Sequence, residues 1–253
     1  MKYLLVLFFL FPSLVLAQLN ESDTLKFQTK LNLNGNWQKG NVEVLAFRSK
    51  LEFTFSSSPN FVFKTQNAYL YQEFFGNKAD EDLFSRNFIY FYPQNKIYPF
   101  AVSFISQNFR RKIDFRYFVG AGATLQLIHT KSHILKTALS TVYEESNFSI
   151  DIFNESQYDG QKQINTWRGT AWIFGKHHFF ENKLNFYYES YIQPSFEDTK
   201  NFRWQLETGL ETPIWKGLNF STTFIYTYEK IVALGLKPYD HSLLFGFSYQ
   251  FKK

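Results

Sequence analysis

The segment FRWQLETGLETPI, from Phe202 to Ile214, changes chemical character at almost every residue. Phe202, Trp204, Leu206, Leu210 and Ile214 fall on one face of an extended chain, with Thr208 and Thr212 between them. Arg203, Gln205, Glu207, Gly209, Glu211 and Pro213 fall on the other. A period of two marks a strand with one apolar and one polar face. A soluble sandwich would turn the apolar face inward. A membrane barrel would turn it outward to lipid and leave Arg203, Glu207 and Glu211 lining a lumen.

About twelve such runs follow one another. They are Leu25–Trp37, Val42–Ser56, Phe61–Phe75, Leu83–Tyr92, Ile97–Gln107 and Phe115–His129, then His133–Glu145, Gln163–Gly175, Lys183–Gln193, Phe202–Ile214, Leu218–Glu229 and Tyr239–Phe251. In the fourth, Phe84, Phe88, Tyr90 and Tyr92 share a face with Arg86, which places that arginine near a headgroup level. Connections alternate in length. Ser57–Asn60, Pro93–Lys96, Thr130–Ser132, His177–Asn182 and Trp215–Gly217 are short. Most of the intervening ones are longer: Gly76–Asp82, Asn108–Asp114, Ser146–Lys162, Pro194–Asn201 and Lys230–Pro238. Gln38–Asn41, also on the long side, is short. An even strand number, short periplasmic turns and longer outer loops are the plan of a single-chain outer-membrane barrel. The expected fold is therefore all-β: a transmembrane antiparallel up-and-down barrel of about twelve strands, spanning 18–253 as one domain.

The chain has 32 Phe, 16 Tyr and 5 Trp, yet its mean hydropathy is negative and no segment after the N-terminus is continuously apolar. Strands bearing aromatic girdles at two interfaces reconcile those facts. Trp37, Tyr69, Tyr71, Trp167, Trp204 and Tyr228 fall toward the outer ends. Tyr90, Tyr92, Tyr98, Trp215, Tyr249 and Phe251 fall toward the periplasmic ends. A sandwich core would instead concentrate aromatics at strand centres. Facing Arg203 to mid-bilayer lipid would cost about 2–4 kcal/mol, with Glu207 and Glu211 adding to it. The polar faces must point inward. The expected lumen residues are Lys26, Lys30, Arg48, Lys50, Glu52, Lys64, Arg116, Lys136, Arg168, Glu189, Arg203, Glu207 and Glu211.

The first residues, MKYLLVLFFLFPSLVLAQ, combine a basic start, an apolar run and Val15-Leu16-Ala17. That is the pattern of a secretory signal peptide cleaved after Ala17, and the run is short for a span of about 20 apolar residues. Export across the inner membrane of a Gram-negative bacterium follows. The chain has no cysteine, so there is no lipoprotein acceptor, disulfide or thiolate. The formal charge of +5 includes Lys2, and the basic residues form no nucleic-acid motif.

Asn34-Gly35-Asn36-Trp37, Lys39-Gly40-Asn41, Arg116 leading to Gly120-Ala121-Gly122, and Pro213-Ile214-Trp215-Lys216-Gly217-Leu218 resemble the domain-of-unknown-function 481 family, whose members are labelled salt-induced outer-membrane proteins. The resemblance spans nearly the whole mature chain. It implies an outer-membrane barrel and transfers no catalytic residue. The final LLFGFSYQF resembles an aromatic-ended last strand read by the barrel-assembly machinery, although Lys252-Lys253 follow Phe251. The expected partners are outer-membrane lipid and, during biogenesis, that machinery.

No motif for chemistry stands out. Asp240-His241-Ser242 brings together three catalytic residue types, but neighbours in a strand point to opposite faces, so His241 and Ser242 cannot meet directly. His177-His178, and His129 with His133, read as turn residues and not as metal ligands. Glu144-Glu145, Asp151, Glu155 and Asp159 crowd one connection and read as a polar surface loop. No cofactor, metal or catalytic site is expected. The function is expected to be non-enzymatic: structural, binding, or a narrow channel with a weak anion preference. The alternative is a barrel enzyme acting on lipid or peptide at its rim. Whether the interior charges pair and plug the lumen or line a passage is left open by the sequence.

Overall fold

The computed structural model describes Glu21 and residues 26–252; the expected signal peptide, 1–17, lies outside the described residues. Twelve antiparallel strands close into a barrel. They are β1 (Phe27–Gln38), β2 (Val44–Ser58), β3 (Phe61–Phe74), β4 (Asn77–Phe91), β5 (Ile97–Asn108) and β6 (Ile113–His129), then β7 (His133–Phe148), β8 (Gln163–Phe179), β9 (Leu184–Pro194), β10 (Phe202–Trp215), β11 (Leu218–Glu229) and β12 (Tyr239–Lys252). Each strand pairs with its sequence neighbours. β1 closes the ring against β12 in a ladder from Gln28↔Lys252 to Asn34↔Gly246. Closure removes the sheet edges, which in lipid have no water to satisfy them.

The wall is inverted relative to a water-soluble protein. Leu33, Phe47, Leu51, Leu139, Ile173, Leu210, Phe245 and Phe247 are exposed on the exterior. Lys30, Glu52, Lys136, Arg168, Asn185 and Glu211 are buried inside. This is the solvation of a transmembrane barrel.

Three expectations are corrected. First, β4 starts at Asn77, six residues earlier than its alternation suggested. The expected loop 76–82 shrinks to a turn at Phe75 and Gly76, both with positive φ. Lys78 and Glu81 make an exposed ion pair along the strand, which obscures its period in the sequence. Second, the aromatic face of β4 points inward. Phe88, Tyr90, Tyr98, Phe100, Val102, Phe118, Val62 and Val142 form an apolar cluster inside the barrel. Tyr90 and Tyr98 are therefore lumen residues and not girdle residues, and Arg86 is buried with them. The reason is packing: a lumen of this width is filled by side chains, and these strands fill it with rings. Third, Lys26 precedes β1 and lies exposed at the rim, its carbonyl accepting from the Ser56 N–H at 2.9 Å.

On the exterior, Trp37 and Trp215 are strongly exposed at opposite ends of the strands, and Trp167 and Trp204 share the end of Trp37. Tyr69 and Tyr71 donate to the Glu81 and Glu73 carboxylates, and Tyr228 stacks on Phe202. Tyr92, Tyr249 and Phe251 are exposed toward the short-turn end.

Candidate functional site: the charged lumen

Strand parity decides which residues enter the lumen. Even positions point inward on β1 to β8 and β12; odd positions do so on β9 to β11, as Lys30, Lys50, Lys64, Arg86, Arg116, Lys136, Arg168, Ser248, Asn185, Arg203 and Asn219 illustrate. The basic and acidic side chains so delivered are interlocked at three levels.

At the loop end, Glu144 collects arginines from three strands. Arg168 Nε lies 3.0 Å from its carboxylate, Arg116 Nε lies 3.6 Å away, and Arg203 closes on it directly. Glu229 receives Arg116 at 2.5 Å and Arg111 at 2.9 Å. Arg111 continues to Asp240 at 2.8 Å. Arg110 bonds Asp240 as well, and reaches Asp80 at 3.0 Å. Mid-barrel, Arg86 pairs with Glu189 at 2.5 Å and lies over the Trp172 ring at 5.0 Å, while Gln66 Oε1 accepts from its Nε and Nη2. Lys50 bonds Glu207 at 2.7 Å and lies 3.7 Å from Glu52; Lys30 bonds Glu211 at 2.5 Å. At the turn end, Lys136 and Lys64 converge on Glu21.

Twelve of the thirteen sequence-predicted lumen residues thus lie on the inner wall, Lys26 being the exception. Arg48 is half-buried and borders the main cavity, with no ion pair among the described residues. The sequence reading missed Glu144, Glu229, Arg86, Arg110, Arg111, Asp80, Asp240 and Glu21. As a sequence, Glu144 and Glu145 read as part of a polar surface loop, but β7 runs on to Phe148, so the two point to opposite faces. Carrying the parity of Lys136 to the end of the His133–Glu145 run would have found Glu144. Arg110 and Arg111 sit in the 109–112 connection and carry no alternation signal.

The main cavity has a volume of about 410 Å³ and is bordered by Arg48, Asp82, Arg110, Arg111 and Asp240 at the loop end and by Lys50, Arg86, Glu189, Glu207 and Trp172 below. It is a vestibule at the loop end whose floor is the Arg86–Glu189 and Lys50–Glu207 pairs. Below the floor a void of about 50 Å³ remains, next to Glu21.

Above the vestibule the loops are built, not loose. Phe148, Phe153, Tyr158, Ile164, Ile113 and Ile231 bury together, and Phe153 bridges to Ala233 across the β7–β8 and β11–β12 connections. Asp198 accepts from Tyr158 Oη at 2.8 Å, Gln157 Nε2 at 2.5 Å and the Lys200 N–H at 2.9 Å. Burial alone would raise the Asp198 carboxyl, but these bonds outweigh it and hold the carboxyl below the ordinary aspartate value.

The histidines are distributed otherwise than a turn reading implies. His133 Nδ1 lies 3.2 Å from His177 Nδ1 across β7 and β8, and His178 is buried against Asn185. Of the Asp240-His241-Ser242 group, Asp240 is held by Arg110 and Arg111, and His241 is exposed.

A family model described as "Protein of unknown function, DUF481" matches residues 31–251. The chain belongs to the DUF481 family. That match covers β2 to β11 completely and most of β1 and β12, so this DUF481 chain carries the family's region as the barrel itself. Among solved structures it is similar to the porin NanC, with TM-score 0.55 and 11% identity over 87% of this chain and 98% of that one. The translocator domain of the autotransporter NalP from Neisseria meningitidis aligns with TM-score 0.45 and 11% identity, over 89% of this chain and 87% of that one. No curated protein sequence matches the chain. At such identity the NanC similarity speaks for the fold.

Proposed function

We propose that this protein is a non-enzymatic barrel of the Gram-negative outer membrane that captures small anionic solutes in its outer vestibule and is closed to free flow in its resting state. The observation that carries this reading is the vestibule itself: arginines at its mouth and a floor of buried ion pairs. Arg48 supports an anionic guest, because its guanidinium borders the cavity with no carboxylate at salt-bridge distance among the described residues, and a guanidinium fork matches carboxylate and phosphate oxygens. The interlocked floor supports a closed state, since opening it would strand charges that now satisfy one another in a low-dielectric interior. The non-enzymatic role is supported by the commitment of Asp240 to two arginines, away from His241. Export by the N-terminal segment and insertion by the barrel-assembly machinery complete the reading.

Refolded protein in planar bilayers should pass no sustained current, while inorganic phosphate should bind from the loop side and perturb tryptophan emission. Arg48→Gln combined with Arg110→Gln should weaken that binding at least tenfold. A large steady conductance would overturn the closed state, and phosphate binding indifferent to the arginine changes would overturn the vestibule. Lipid or peptide hydrolysis abolished by His241→Ala or Ser242→Ala would overturn the non-enzymatic role.

A further inference from the structure

At the opposite end of the lumen, a residue that belongs to no strand is held by three that do. The Glu21 carboxylate accepts from Tyr98 Oη at 2.8 Å and Lys136 Nζ at 3.0 Å through one oxygen, and its other oxygen lies 3.8 Å from Lys64 Nζ. Tyr98, Lys136 and Lys64 lie one to three residues into β5, β7 and β3, each just after a short turn. All three are buried, Tyr98 completely, and Glu21 is 5% exposed. Lys136 packs over the Tyr98 ring and Lys64 over the Phe174 ring, so the donors are held in place by aromatic neighbours and not only by the carboxylate.

We infer that Lys64, Lys136 and Tyr98 form a binding site for a small carboxylate at the turn end of the lumen, and that the chain's own Glu21 is its resident occupant. The case rests on position and chemistry. Two ammonium groups and a phenol converging on one carboxylate from three separate strands are a preorganised anion cradle. Glu21 is not needed to close the wall, because the β1–β12 ladder begins at Gln28. The adjoining void of about 50 Å³, bordered by Gln66, Thr124, Tyr90 and Trp172, extends the cradle beyond the glutamate side chain. A tethered carboxylate competes with free ones at high effective concentration, so the contact is autoinhibitory. The lumen then has two anion stations, the vestibule above the Arg86–Glu189 floor and this self-occupied one below it. The inference goes beyond the vestibule reading and does not depend on it.

Chemical rescue tests it on the full chain refolded in detergent, with sodium acetate as the probe and sodium chloride at equal ionic strength as the control. Glu21→Ala should lower the melting temperature, and acetate should restore it saturably and change Trp172 emission, whereas the wild-type protein should not respond. Adding Lys64→Gln and Lys136→Gln to Glu21→Ala should weaken the apparent acetate affinity at least tenfold. A folded Glu21→Ala barrel indifferent to acetate would overturn the site. So would rescue that survives the loss of both lysines, or that chloride reproduces. If Glu21→Ala fails to fold, a double-mutant cycle between Glu21→Gln and Lys136→Gln decides instead: coupled melting shifts sustain the site and additive shifts overturn it. Arg48→Gln with Arg110→Gln should leave the rescue intact, so failure of phosphate binding in the vestibule and failure of acetate rescue are separately readable.

Discussion

Glu144 shows how much of this lumen rests on single side chains. Its carboxylate is the shared counter-charge of Arg168, Arg203 and Arg116, and it is 1% exposed. Removing one partner of a buried ionic group leaves the others uncompensated, typically at about 3–5 kcal/mol. Glu144→Ala should therefore lower the unfolding transition of the detergent-solubilised barrel by that order. Glu145→Ala, one residue away on the outer face, should move it far less, since among the described residues Glu145 accepts from the Tyr117 and Asn147 side chains and pairs with no cation. Both residues look alike in the sequence. Where the strand ends separates them, and an acidic pair after the last clear aromatic does not reveal that end.

At the scale of the element, β6 carries a constraint that its composition only hints at. Gly120 and Gly122 sit on its inner face where β7 crowds it. A Cβ at Gly122 would lie 2.2 Å from the Leu139 carbonyl oxygen, and one at Gly120 would lie 2.0 Å from that of Thr141. Backbone cannot swing aside as a side chain can, so overpacking here should cost about 1–3 kcal/mol. Gly122→Val should accordingly reduce refolding yield and lower the melting temperature, as read by heat-modifiable gel migration. The loops follow a different logic. Asp198 joins the β9–β10 connection to Tyr158 and Gln157 in the β7–β8 connection. Its folded carboxyl is held below the ordinary value of 3.8, so the folded loop binds the proton less tightly than the unfolded one. The contact contributes fully above that ordinary value and is lost as pH falls through the lower folded one. A spin label at Gln161 should stay immobile at neutral pH and gain mobility only as pH falls below the ordinary aspartate value of 3.8. Asp198→Asn should remove that transition. The elements themselves were legible wherever alternation ran clean, as in β2, β10 and β11. β4 was not, because its charged first turns run along the outer end of the wall and its aromatic face packs inward.

At the scale of the whole molecule, the exterior is matched to lipid. Leu139 is 67% exposed near the middle of β7. Leu139→Arg should cost about 2–4 kcal/mol of folding into bilayers, measured by urea titration in vesicles, and much less in a soft detergent micelle. An equal cost in both would contradict the lipid-facing assignment. By itself the amino-acid sequence determined the periodicity and, through it, the barrel. Strict alternation over about twelve segments with Arg, Lys and Glu on one face admits one solvent arrangement, because charge is costly in hydrocarbon and tolerable in a lumen. Only the tertiary structure decided what the lumen does with those charges. Pairing between Arg86 and Glu189, or between Lys30 and Glu211, joins strands far apart in the chain and depends on barrel diameter and stagger, which no local pattern encodes. The same holds for Tyr90 and Tyr98. Their place at strand ends suits a headgroup belt, and the need to fill a closed interior to protein density put them inside.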